Sequence, residues 1–96
     1  MPRNQKLTKV IAGRTVKVAA VEPGAVLALF DDESRMKIET AGPATIPPGG
    51  KVKSVCEAKA EFKIDFEDGS NATLSLADPG SSVAVRDKNN AVEYLG

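Results

Sequence analysis

Ninety-six residues, 42% of them hydrophobic and 27% charged, suit one folded domain with a modest core rather than a disordered chain. Histidine is absent and cysteine occurs once, which excludes zinc held by several Cys and His side chains, intrachain disulfides and His-dependent acid–base catalysis. Thirteen basic and thirteen acidic side chains cancel, so net charge names no partner.

The chain opens "MPRNQKLTKVIAG", which lacks the long apolar segment of a secretory signal. Leu7, Val10 and Ile11 recur at helical spacing, Asn4 is placed to cap the start and Gly13 to end it, predicting a helix over 4–12. A unit spanning 13–40 follows, turning at Glu22-Pro23-Gly24. Its central strand, "AVLALF", is apolar on both faces: Val26, Ala28 and Phe30 on one, Leu27 and Leu29 on the other. Something must cover Leu27 and Leu29. The N-terminal helix is the expected cover and a second molecule the alternative. The acidic turn "FDDES" then leads into a further strand.

Residues 41–48, rich in Pro and Gly, link to a second unit at 49–76 and are expected to run over the surface. Within "VKSVCE", Cys56 reads as a small buried thiol. In "EFKIDFE", Phe62, Ile64 and Phe66 alternate with Glu61, Lys63, Asp65 and Glu67, the period of a half-buried strand. Asp68-Gly69 reverses the chain, and Ala72, Leu74 and Leu76 alternate with polar residues. After a turn at Ala77-Asp78-Pro79-Gly80, residues 81–95 read as a hairpin: Val83 and Val85, then "DKNN", then Val92 and Tyr94.

Displacing the chain by 36 positions lays "FDDES" over "FEDGS" and aligns 13–40 with 49–76. Six of the 28 aligned positions are identical: Gly13/Gly49, Val16/Val52, Lys17/Lys53, Phe30/Phe66, Asp32/Asp68 and Ser34/Ser70. Apolar character repeats at Val26/Phe62, Ala28/Ile64 and Ile38/Leu74. The pattern predicts an internal repeat of a three-strand meander. The expectation is a single all-β domain over 1–96, a small barrel or sandwich of about eight short antiparallel strands with one N-terminal helix. In the turn, "FxDxS" is an inward Phe followed by a carboxylate that bonds nearby backbone N–H groups. Glu33 stands where the second unit has Gly69, so a shared turn geometry puts Glu33 in the left-handed region.

The opening Pro-Arg-Asn, the F-E/D-D-G-S turn and the closing "SSVAVRD" followed by "VEY" resemble a group of small, uncharacterised bacterial proteins along nearly the whole chain. The resemblance implies a self-contained bacterial domain and brings no activity or site residues with it.

Chemistry is sparsely signalled. An EF-hand loop needs oxygen ligands where Ile64 and Phe66 stand, so that motif fails. An ion site would need Asp31, Asp32, Glu67 and Asp68 to converge. Asp32 and Asp68 are the pair a carboxylate hydrolase would use, but exposed turns supply no apolar pocket to raise one pKa. An enzyme, a resident metal and a cofactor are therefore not expected. The residues point instead to a small soluble binding or assembly module of the cytoplasm, whose partner is another protein or a second copy in a homodimer. Leu27, Leu29, Tyr94 and Leu95 are its candidate interface. The alternative is a nucleic-acid-binding barrel whose outer face carries Lys17, Lys51 and Lys53. Three Phe, one Tyr and no Trp leave few platforms for base stacking. No apolar run approaches the ~18–20 residues of a membrane helix, and no membrane partner is expected.

Overall fold

A computed structural model describes residues 1–96. One short helix, α1 (Gln5–Ile11), precedes eight strands: β1 (Val16–Glu22), β2 (Ala25–Phe30), β3 (Arg35–Glu39), β4 (Val52–Ala58), β5 (Glu61–Phe66), β6 (Asn71–Ser75), β7 (Val83–Arg86) and β8 (Val92–Leu95). They form two antiparallel sheets, one of five strands in the order β1-β2-β3-β7-β8 and one of three in the order β4-β5-β6. The sheets do not close on each other, so of the two expected architectures the molecule is a sandwich. No helix is long and apolar enough to cross a membrane.

The two meanders share one register. Val16 faces Phe30 and Val52 faces Phe66; each first strand then skips one residue in a bulge, at Lys17 and at Lys53. Beyond the bulge every pair of the first meander has its counterpart 36 positions on, from Ala19 opposite Ala28 (Val55 opposite Ile64) to Ala25 opposite Glu39 (Glu61 opposite Ser75). Two isolated bridges join the sheets, Thr15 with Lys51 and Thr40 with Leu76, and each links a residue to the one 36 places later. A residue paired antiparallel with its own counterpart lies beside a local two-fold axis.

Nineteen side chains make one apolar core, with Phe30, Phe62 and Phe66 its largest members. Most come from alternate positions of the strands, as the period-two pattern requires. In α1, Leu7 and Ile11 are fully buried, and Asn4 Oδ1 caps the start by accepting from Leu7 N at 3.0 Å. Gly13, just past the helix, has φ 89°, a left-handed conformation that suits glycine after a helix end.

Two expectations are corrected here. The helix does not cover Leu27 and Leu29; it packs on β4 and β8. Residues 2–4 hold it there, since Asn4 N donates to Val55 O at 2.8 Å and Glu57 N to Pro2 O at 3.0 Å. Nor does 41–48 simply run over the surface: Ile46 is 1% exposed and belongs to the core, with Ala44 packed against it. The physical reason is the same for both. Each unit is preceded by a short segment, and each segment inserts aliphatic side chains between the sheets where strands alone leave a gap.

The candidate binding face

The face that α1 leaves uncovered is the outer side of the five-stranded sheet. Strand alternation and pairing fix which side chains lie side by side on it. One row runs Val18, Leu29, Arg35, Arg86, Val92; the next runs Ala20, Leu27, Lys37, Ala84, Leu95. Val18 is 51% exposed and Leu95 67%, while Leu27 and Leu29 are half-buried beneath their neighbours. Leu27, Arg35, Lys37, Ala84, Arg86 and Asn90 together line a shallow groove.

Three cations and no acid line that groove. Arg35 stands directly opposite Arg86, an arrangement that costs stability because like charges face each other across strands. Arg86 Nη1 donates to Asn90 O at 3.1 Å, but none of Arg35, Lys37 and Arg86 has a carboxylate partner. Beyond Leu29 and Arg35 a second hollow adds Lys17 and Lys88, with Glu33 as its one acid. A third row, Glu22, Ala25 and Glu39, confines negative charge to the opposite end of the strands.

The second meander shows what these positions need for folding alone. Leu27, Leu29, Arg35 and Lys37 correspond in register to Lys63, Asp65, Asn71 and Thr73. There Lys63 Nζ lies 3.6 Å from Asp65 Oδ1, a half-buried surface ion pair.

The acidic corners do a different job. Ser34 N donates to Asp32 Oδ1 at 2.9 Å and Ser70 N to Asp68 Oδ1 at 2.8 Å, and in each turn the Ser hydroxyl donates to the same oxygen. The hydroxyl and backbone N–H of Ser70 hold the Asp68 carboxyl below the usual carboxylate range. For Asp32, burial pulls upward, but the Ser34 hydroxyl and N–H and the nearby Arg14 charge outweigh it, and its pKa is also lowered.

Arg14 is where the units part. Its counterpart is Gly50, where an added Cβ would lie 2.6 Å from Phe66 Cδ1. The Arg14 guanidinium makes two bonds of 2.9 Å to the Glu93 carboxylate, donates to Ser34 Oγ at 2.9 Å and lies 3.3 Å from Asp32 Oδ2. Donating to the Glu93 carboxylate is the main reason the Arg14 pKa is raised, against the opposing effect of burial. This clamp ties β8 to the first corner. Asp31, Asp32, Glu67 and Asp68 do not gather into a group that would hold a metal.

Of the interface candidates, Leu27, Leu29 and Leu95 lie on the open face. Tyr94 turns inward, packs on the core and accepts a hydrogen bond from Asn4 Nδ2 at 2.9 Å. Lys17 reaches the rim beside Arg35, whereas Lys51 and Lys53 belong to the three-stranded side and line neither hollow. Arg35, Lys37, Arg86 and Lys88 were not singled out from sequence. Alternation in "SRMKIE" assigns Arg35 and Lys37 to an outer face, but only the β3–β7 pairing, which sets Arg35 opposite Arg86 across 51 positions of chain, puts Arg86 beside them. No family model, curated protein or solved structure matches this chain.

Proposed function

We propose that this chain is a small binding module whose docking surface is the outer face of the five-stranded sheet. Its partner is an acidic protein segment that also carries aliphatic side chains. One observation carries the reading: at matched positions of two equally built meanders, one outer face is plainly polar and the other combines Leu27 and Leu29 with Arg35 and Lys37. The second meander supports it by adopting the same register with neither leucines nor unpaired cations at those positions. We take the chain to be an internal duplication, one unit kept as scaffold and the other specialised. The lone cysteine and the likeness to small bacterial proteins support a bacterial cytoplasm as the setting.

Unpaired cations next to one another favour an anion, and flanking leucines favour an apolar contact beside it. A second reading, nucleic acid, draws support from five cations (Lys17, Arg35, Lys37, Arg86 and Lys88) around two adjoining hollows. No aromatic side chain lies on the two rows of this face, which weighs against base stacking.

Titration with fluorescent single- and double-stranded oligonucleotides at low and moderate salt separates the two. The expected result is no saturable binding even at low salt. Affinity capture from the native cells should then recover a protein with the wild-type chain and lose it with Leu27→Asp/Arg35→Glu. Micromolar oligonucleotide binding that falls steeply with salt and vanishes in Arg35→Glu would replace the proposal with the nucleic-acid reading.

A further inference from the structure

The two matched first strands differ at their outer edges. Along β4, Val55 O accepts from Asn4 N at 2.8 Å, Val55 N donates to Thr8 Oγ1 at 3.0 Å, and Glu57 N donates to Pro2 O at 3.0 Å. Arg3 bridges Cys56 in the middle of this contact. The N-terminal residues therefore act as a short extra strand on that edge. Because β1 pairs with β2 in the register that β4 uses with β5, Ala19 and Val21 correspond to Val55 and Glu57. Their outward N–H and C=O groups make no bond in the chain. The segment leading from β3 to β4 passes close by, with Ala41, Gly42 and Pro43 facing Val21–Gly24 across a hollow, but it bonds β1 only at Val16, whose O accepts from Gly49 N at 2.7 Å and whose N donates to Gly50 O at 2.9 Å.

This free edge reads Val18, Ala19, Ala20, Val21, four apolar residues without Pro or charge, and Val21 is 58% exposed. Free edges are ordinarily blunted by lysine, proline or a bulge, and here only Lys17 and the bulge at one end serve. We infer that the β1 edge is a strand-addition site and that its occupant is the β1 edge of a second copy, paired antiparallel about a two-fold axis at Ala20.

The strand is complementary to itself in that register. Ala19 faces the partner's Val21 and Val21 the partner's Ala19, so the outward groups of both residues meet in four hydrogen bonds. Ala20 meets the partner's Ala20 on the axis, where a methyl group lets the backbones approach. Val18 faces the partner's Glu22, and Lys17 comes within one residue of that carboxylate at both ends of the interface. An even register keeps the outer faces of the two sheets on one side, so the dimer is a continuous ten-stranded sheet. The edge adjoins the docking face and shares Lys17, Val18 and Ala20 with it, but it bonds through backbone groups that the face does not use, and the proposal holds whether or not that face binds an acidic partner.

Sedimentation equilibrium of the full chain over a wide dilution range is the test. The expected result is a concentration-dependent dimer. Val21→Pro removes only an outward donor and should weaken dimerisation roughly tenfold or more while leaving the far-UV spectrum and melting behaviour of the monomer intact. Lys17→Glu should weaken it and Lys17→Glu/Glu22→Lys should restore it, a pair of variants that stays informative if the proline variant misfolds. A monomer at millimolar concentration overturns the proposal. So does a dimer that survives Val21→Pro or the Lys17→Glu reversal but breaks with Leu27→Asp, because that dimer would use the face.

Discussion

Glu33 holds φ at 70° and its counterpart Gly69 at 91°, in turns whose bonds coincide: Phe30 N to Ser34 O and Phe66 N to Ser70 O are both 2.9 Å. A side chain in that region costs about 1 kcal/mol that glycine does not incur, partly offset by glycine's freedom when unfolded. Glu33→Gly should therefore raise stability by roughly 0.5–1 kcal/mol, read as a melting-temperature gain of a few degrees in differential scanning calorimetry. The neighbouring carboxylates set a pH limit. Asp32 and Asp68 both titrate below their ordinary value in the fold, so the stability they add is complete above the unfolded Asp pKa of about 3.9 and is lost as pH falls through the lowered folded values. Melting temperature should fall below about pH 4, and less steeply in Asp32→Asn/Asp68→Asn, whose amide oxygens still accept the turn bonds. Equal slopes for the two proteins would assign the acid sensitivity to other carboxylates.

Among the elements, the segment between the meanders looks least structural from sequence and contributes more than its composition suggests. Ile46 is its one large apolar side chain and it is fully inside. Ile46→Ala should destabilise by about 2–5 kcal/mol, as for a core isoleucine, while Pro43→Ala on the exposed side of the same segment should change little; urea unfolding compares them directly. Local pattern was enough to read the strands: alternation set the inner face of β5 and β6, and the equal spacing of the two corners anticipated the shared register. What alternation cannot carry is which element meets which at long range. The stripe of Leu7 and Ile11 says that one side of α1 is buried and is silent on whether β2 or β4 buries it. The same gap hid Arg86, which reaches Arg35 only because β7 pairs with β3.

At the scale of the whole molecule, half of the candidate face was legible and half was not, for a reason the two sheets make plain. Leu27 and Leu29 break the alternation of their own strand and so advertise themselves, whereas Arg35, Lys37 and Arg86 keep to alternation and look like any solvated residue until three strands are assembled. Charge neutrality of the chain conceals the separation as well, since Glu22 and Glu39 balance the cations from the far end of the same sheet. One consequence follows from β3. It is bonded to β2 on one side and β7 on the other, and at its end Glu39 O accepts from Ala77 N while Thr40, one residue on, bridges Leu76. Prising this strand loose would strip support from both sheets and the terminal hairpin together, so neither half of the molecule has a route to melting by itself.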